Sequence, residues 1–173
     1  MPKIPEMIND SRTYVNGNAD YYPTTEFEPG TLSTLTSEVT GVGVAGKIDA
    51  PVVGHLDSIE PSLTMRVPTK EAMAFVAGAP IELENYADVQ NFDAGTNSYA
   101  HSQLRIALRG RIKSLEVGTL QRGDKTDTKI TMEAHYVKAD YDGTTVCEID
   151  KYGYKAVVNG VDLLADVKQN LGM

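Results

Sequence analysis

The chain has 173 residues, with 24 acidic and 16 basic side chains and a net charge of −8 when the histidines are neutral. That balance disfavours tight nucleic-acid binding, which requires clustered Lys and Arg. The lone cysteine, Cys147, excludes an internal disulfide, and no apolar run approaches the roughly 18 residues of a membrane span. The composition predicts one domain over residues 1–173, assembled in the cytoplasm and without stable membrane association.

Residues 1–57 are rich in turn-forming side chains. Residues 1–30 are polar and predict an N-terminal arm in which Thr13–Asn16 alone is a short strand. The β-branched run Thr31–Thr40 favours a second strand. Gly41–Asp57 predicts a long loop or a loose hairpin, because glycine and proline interrupt it repeatedly. The interrupting residues are Gly41, Gly43, Gly46, Pro51 and Gly54.

The next segment predicts one strand and one helix. Ser58–Val67 alternates between apolar and polar residues, as a half-buried strand does. The residues expected to face inward are Ile59, Leu63, Met65 and Val67. Thr69 is suited to cap the N-terminus of a helix over Lys70–Ala77. We expect this helix to cover a sheet with Met73, Val76 and Ala77.

Three long strands are predicted over Pro80–Phe92, His101–Val117 and Thr128–Tyr141, the first two joined by a turn. A basic row on the second strand predicts a solvated or salt-bridged sheet face, or an interface with an acidic neighbour. The row consists of Arg105, Arg109, Arg111 and Lys113. The expected apolar face of the third strand consists of Ile130, Met132, Ala134 and Tyr136.

Two short turns organise the C-terminal region. Asp142-Gly143 predicts a type I′ hairpin, since both positions tolerate positive φ. The returning strand, Thr144–Ile149, then places Tyr136 opposite Ile149 and Glu133 opposite Tyr152. Asn159-Gly160 predicts a second turn. Asp162 is expected to cap a final helix over Leu163–Asn170 that Gly172 ends.

Together these elements predict a mainly β fold: an antiparallel β-sandwich or open barrel with one or two short helices.

A search for chemistry finds one apparent motif. Gly41–Lys47 matches part of a phosphate-binding loop, G-x-x-x-x-G-K. The residue after Lys47 is Ile48 rather than Ser or Thr, and no helix is predicted to follow. A nucleotide-binding enzyme that uses this loop is therefore a weaker alternative. The three histidines lack ligand spacing, so the sequence predicts no catalytic residue, cofactor or metal.

An ordered set of short motifs in the C-terminal half resembles a known family. They are Arg105–Lys113, Lys129–Tyr136, Asp142-Gly143, Glu148–Asp150, Val158–Leu164 and Asn170–Gly172. In this order they look like the major tail tube proteins of contractile-tailed phages, the type found in phage P2. Upstream, Val15–Gly17 is similar to the family's N-terminal strand, and Gly41–Asp57 falls at its long loop.

The resemblance implies a structural subunit rather than an enzyme. Such subunits form hexameric rings whose sheets join into a β-barrel, and the rings stack into a hollow tube. The implied partners are further copies of the chain, the tail sheath, baseplate initiator and tail terminator proteins, and a tape measure protein in the lumen. DNA passes through transiently when the sheath contracts. The implied location is the virion tail, or an extracellular injection particle.

The resemblance also directs expectations to two surfaces. An inter-ring contact is expected at Gly41, Gly43, Gly46, Lys47, Asp49, Pro51, Gly54 and Asp57. The expected lumen face carries Glu133, His135, Glu148 and Asp150. Two alternatives remain open beside the nucleotide-binding enzyme: the tube of a DNA-free particle, such as a tailocin or a type VI secretion system, and a monomeric β-rich ligand-binding module.

Overall fold

A computed structural model of the chain describes residues 3–17 and 24–173. Eleven strands and two short helices follow one another in these ranges. The strands are β1 Lys3–Val15, β2 Thr24–Glu28, β3 Thr34–Val39, β4 Ile48–Leu56, β5 Ser62–Met65, β6 Pro80–Asp93, β7 Ser98–Glu116, β8 Thr128–Tyr141, β9 Thr144–Asp150, β10 Lys155–Val158 and β11 Val161–Asp162. The helices are α1 Lys70–Phe75 and α2 Ala165–Leu171. The prediction of a mainly β, antiparallel fold is confirmed.

One large sheet carries most of the fold. Its strand order is β1-β6-β7-β8-β9-β10-β11, and β2 and β5 branch from β8. The branch arises because β8 uses one edge for two partners. Its first residues, Thr128–Thr131, pair with β5, and its last, Tyr136–Tyr141, pair with β9. β3 and β4 form a separate two-stranded sheet.

Bulges curl the large sheet. The β7–β8 register shifts twice, which leaves His135 as an extra residue on β8 and Lys113 as an extra residue on β7. Each such residue bends its strand and increases the local twist. As a result, Leu63 of β5 and Ile81 of β6 line the same small interior space as Met132 of β8. The sheet therefore encloses its own core, as an open barrel does.

Helix α1 closes one side of this core, with a different face from the one expected. The Thr69 side chain accepts a hydrogen bond from the Ala72 amide at 3.1 Å, which confirms the predicted cap. Ala72 and Phe75 are buried in the core, whereas Met73 and Val76 are 43% and 57% exposed. The expected face was wrong because Ala72 and Phe75, three residues apart, form the inward face, which turns Met73 outward, and because Val76 and Ala77 lie beyond the last helical residue.

The N-terminal arm is more ordered than predicted. β1 extends from Lys3 to Val15 along β6, not over Thr13–Asn16 alone. Its pairing skips Glu6 and Asn9, and these bulges break the period-two alternation by which a strand is recognised. Residues 1–2 and 18–23 of the expected arm lie outside the described residues.

The Asp142-Gly143 turn has the predicted conformation. Both residues have positive φ, 46° and 77°, and Tyr141 pairs with Thr144. The register further along is wrong by one residue, because β9 bulges at Val146. Tyr136 therefore lies opposite Asp150 rather than Ile149.

The second turn is also confirmed, since Asn159 and Gly160 have φ of 48° and 80°. It leads into β11 rather than directly into a helix. Asp162 does not cap α2: its carboxylate accepts from the Leu164 amide and pairs with Lys168. Gly172, with φ of 72°, ends the helix as expected.

Candidate functional site and assembly surfaces

Charged side chains cross the outer face of the large sheet in paired rows. Arg109 donates to Glu82 at 2.8 Å and lies over the Tyr136 ring, 5.0 Å from its centre. The Tyr136 hydroxyl approaches Glu148 at 3.4 Å, and Glu148 pairs with Lys155 at 2.7 Å. Each row residue comes from a different strand. We call this surface, which also includes Glu84, Arg105 and Asp150, the polar face.

A second row on the polar face centres on Arg105. Its guanidinium contacts Glu84 and Asp140, and the hydrogen bond that it donates to Glu84 raises the pKa of Arg105 above its ordinary value. Burial acts to raise the pKa of Asp140, but the hydrogen bond from Thr145, the charge of Lys138 and the hydrogen bonds from Lys138 and Arg105 outweigh it. The pKa of Asp140 therefore lies below its ordinary value. The row is a set of mutually neutralising charges.

Three of the four residues expected in the lumen lie on the polar face, and the fourth is the bulge residue of β8. Tyr136 pairs with Asp150 and Arg111 with Glu133, which places Glu133, Glu148 and Asp150 on one side of the sheet. They do not form an unpaired acidic patch, because Glu148 is bound by Lys155 and Glu133 by Lys151 at 3.2 Å. His135 sits at the bulge, 5.3 Å from the Tyr152 ring.

The prediction that the basic row of β7 is a salt-bridged sheet face is confirmed at three of its four positions. Arg105, Arg109 and Lys113 each contact a glutamate, and Lys113 reaches Glu60 on the segment before β5.

The residues expected between rings belong to a hairpin that the structure divides into a tip and a base. Gly41, Gly43 and Gly46 lie in its tip, where added side chains would meet nothing within 4 Å. Lys47 follows the tip and pairs with Glu38 across the hairpin at 2.7 Å. Asp49 and Pro51 lie in β4. Gly41–Asp57 is therefore half of a β-hairpin rather than a long loop.

The shaft of this hairpin is exposed and apolar. Every residue of β3 is exposed, and Ile48 and Val53 of β4 are 53% and 63% exposed. The exposed apolar side chains are Leu32, Leu35, Val39, Val42, Ile48 and Val53. Exposed apolar side chains concentrated on one projecting element are typical of a site of interaction with protein or membrane.

The base of the hairpin is anchored to the body. Gly54, with φ of 75°, lies against the Leu164 side chain so closely that no larger residue fits. The His55 ring meets Tyr154 edge-on at 5.9 Å. The amide of Asp57 donates to the carbonyl of Ser33 at 3.0 Å, which brings the two ends of the hairpin together.

β1 adds a surface that the sequence did not reveal. Ile4, Met7 and Ile8 are about half exposed on this edge strand. Their apolar character was visible in the sequence, but the bulges at Glu6 and Asn9 remove the alternation that would have marked a strand.

In residues 3–17 and 24–173, no group of His, Cys, Asp or Glu is arranged to hold a metal ion. Within the same ranges no helix has the length and apolarity to span a membrane. Cys147 packs against the core, and burial raises the pKa of its thiol.

Comparison with known proteins defines the class. The family model for phage tail tube protein FII matches residues 5–172. The chain therefore belongs to this family of structural phage-tail proteins, which confirms the resemblance found in its C-terminal motifs. The tail tube protein of Escherichia phage P2 is 33% identical over 70 residues. That alignment covers 40% of this chain and 41% of the relative, so the match spans about two fifths of the relative's length.

Proposed function

We propose that the chain forms hexameric rings that stack into a hollow tail tube, through which DNA is delivered when a surrounding sheath contracts. Its partners are further copies of itself, the sheath, the baseplate initiator, the tail terminator and a tape measure protein. The tube is assembled in the host cytoplasm and then resides in the virion tail.

The observation that carries this proposal is the exposed apolar hairpin β3–β4. A free domain gains nothing by keeping Leu35, Val39 and Ile48 half exposed, since burial of the remaining surface of each would stabilise it by about 1 kcal/mol. The hairpin is held at its base and free at its tip, so it can reach a neighbouring subunit. Burial against the next ring supplies the missing contact.

The polar face is suited to the lumen. Its arginines and lysines are already bound by carboxylates, so few cations are free to grip a phosphate backbone. Paired acids likewise give little net repulsion at close range. DNA that passes along the polar face would therefore be neither strongly attracted nor strongly repelled.

The hairpin also argues against the nucleotide-binding alternative. Strand β4 follows Gly41–Lys47, whereas a phosphate loop needs the N-terminus of a helix at that place. Lys47 is already paired with Glu38. A structural role without catalysis agrees with the family to which the chain belongs.

Electron microscopy of the concentrated protein, with and without its baseplate initiator, tests the proposal. We expect six-fold rings or hollow rods, with the polar face toward the central channel in averaged images. A chain that stays monomeric under all assembly conditions would overturn the proposal and favour a monomeric binding module.

A further inference from the structure

We propose that the open edge of β7 at Ser98–Ser102 is a strand-addition site that takes an extended segment of a second copy of this chain. This inference rests on the proposed self-assembly and locates one of its contacts. β7 pairs with β6 from Ser98 onward but with β8 only from Leu104 onward. No strand within residues 3–17 and 24–173 pairs with the other side of Ser98–Ser102.

The hydrogen-bonding direction of this edge follows from Gln103. Its amide donates to the Asp142 carboxylate at 2.8 Å, and its carbonyl accepts from the Asp142 amide at 2.9 Å. Both groups therefore point away from β6. Along an antiparallel strand this direction alternates, and the β6–β7 register is regular here. Tyr99 and His101 consequently present their N–H and C=O groups to the open side.

The edge of β7 lacks the features by which proteins protect exposed strands. Proline, charged residues and bulges normally prevent unwanted pairing. The outer half of β1 has all three, with Pro5, Lys3 and the bulges at Glu6 and Asn9. Ser98–Ser102 has neither a proline, an acid, a Lys or Arg, nor a register shift. Of these two edges, only the β7 segment is unprotected against pairing with a further strand.

A second copy of the chain is the occupant that fits. The chain carries a net charge of −8, so copies approach with least repulsion along an edge without acids. Two carboxylates of β6 flank the segment. Asp93, the register partner of Ser98, accepts from the Gly95 amide at 2.8 Å, and Asp88 is engaged by Asn9 at 3.0 Å and by His101 at 2.8 Å. The edge therefore offers no free charge to select a basic or acidic peptide. In strand addition the main-chain hydrogen bonds supply affinity, and the fixed geometry of the proposed ring supplies the selection that the edge itself lacks.

Two substitutions at Tyr99 separate the backbone contact from the side chain. Tyr99→Pro removes the outward N–H and the ring, and proline is tolerated at such a position because this N–H is not used within the β6–β7 ladder. Tyr99→Thr removes the ring and keeps the N–H. We expect the concentration needed for assembly, followed by light scattering and sedimentation, to be about five-fold higher for Tyr99→Pro than for Tyr99→Thr. Equal assembly by two folded variants would overturn the inference.

Hydrogen exchange of the wild type provides a second measurement that needs no variant. The Tyr99 and His101 amides should exchange rapidly in the free subunit and slowly after assembly. Hollow rods in which these amides remain unprotected would overturn this inference and leave the proposed tube intact. A wild type that never associates would overturn both.

Discussion

A single glycine sets the distance between β7 and β8. Gly110 lies where β7 passes the bulge of β8, and a Cβ atom there would overlap the Glu133 carbonyl oxygen and approach Met132 Cε at 2.8 Å. The first of these atoms belongs to the backbone and cannot rotate away. We expect Gly110→Ala to lower the free energy of unfolding by about 2–4 kcal/mol, measured by urea denaturation.

Gly46→Ala is the matched control for this substitution. Gly46 lies in the hairpin tip, its φ is not in the left-handed region, and an added Cβ meets nothing within 4 Å. Its free energy of unfolding should stay within about 0.5 kcal/mol of the wild type. Equal effects at the two positions would mean that the close approach at the bulge is not rigid.

Asp140 links the stability of the polar face to pH. Its pKa is lower in the folded state than in an unfolded chain, where it is about 3.9. The carboxylate therefore contributes stability above pH about 3.9, and this contribution is lost as the pH falls through the lower folded value. We expect Asp140→Asn to destabilise the protein by about 1–3 kcal/mol at pH 7, because Arg105 and Lys138 lose a charged partner.

Urea denaturation between pH 3 and 7 should show the difference between wild type and Asp140→Asn shrinking toward the acid end. The exposed Asp166, at the start of α2, provides the comparison. Asp166→Asn should stay within about 0.5 kcal/mol of the wild type at pH 7. A constant gap between Asp140→Asn and wild type across this range would contradict the assignment.

At the scale of elements, the Asp142-Gly143 turn isolates the cost of backbone conformation. Gly143 has φ of 77° and open space around it, so a larger side chain meets no neighbour. Gly143→Val should nevertheless lower the free energy of unfolding by about 1–2 kcal/mol, and with it the melting temperature, because a β-branched residue resists positive φ. Gly143→Asn should lower it less, since Asn tolerates this region. A melting temperature unchanged by valine would show that the turn relaxes to another type.

The elements that the sequence predicted well are those in which local pattern and packing agree. β6, β7 and β8 alternate over long stretches, and the turn residues between β8 and β9 admit one conformation. The errors arise at bulges. An extra residue at Val146 shifted the expected register, and the bulges at Glu6 and Asn9 concealed most of β1. A bulge is set by long-range pairing and twist, and the sequence carries no short-range signal for it.

At the scale of the whole molecule, the candidate surfaces were harder to predict than the fold. The sequence shows acids at Glu133 and Glu148, but it does not show that they are neutralised. Their partners, Lys151 and Lys155, come close only when β9 and the turn after it have formed. The glycines of residues 41–57 left a long loop and a loose hairpin open. The pairing of β3 with β4 shows the hairpin, with Gly41, Gly43 and Gly46 in its tip and Gly54 in its anchored base.

The β3–β4 hairpin can be shortened without disturbing its base. Thr36 and Pro51 are register partners, so an Asn-Gly turn can join them in place of residues 37–50. The replaced residues are almost all exposed, whereas Gly54 and Leu56 retain their contacts with the body. We expect the shortened protein to keep its free energy of unfolding within about 1 kcal/mol and to lose the ability to form rods, as judged by sedimentation and electron microscopy.

A second variant separates the effect of the apolar side chains of the β3–β4 hairpin from the effect of its length. Replacing Leu35, Val39 and Ile48 by serine keeps the length of the hairpin but removes three of its six exposed apolar side chains, all three from the paired strands. If burial between rings drives stacking, this variant should also fail to form rods while isolated rings remain. Rods of normal length from both variants would show that stacking uses another surface. Loss of rings as well as rods would place the hairpin within the ring instead of between rings.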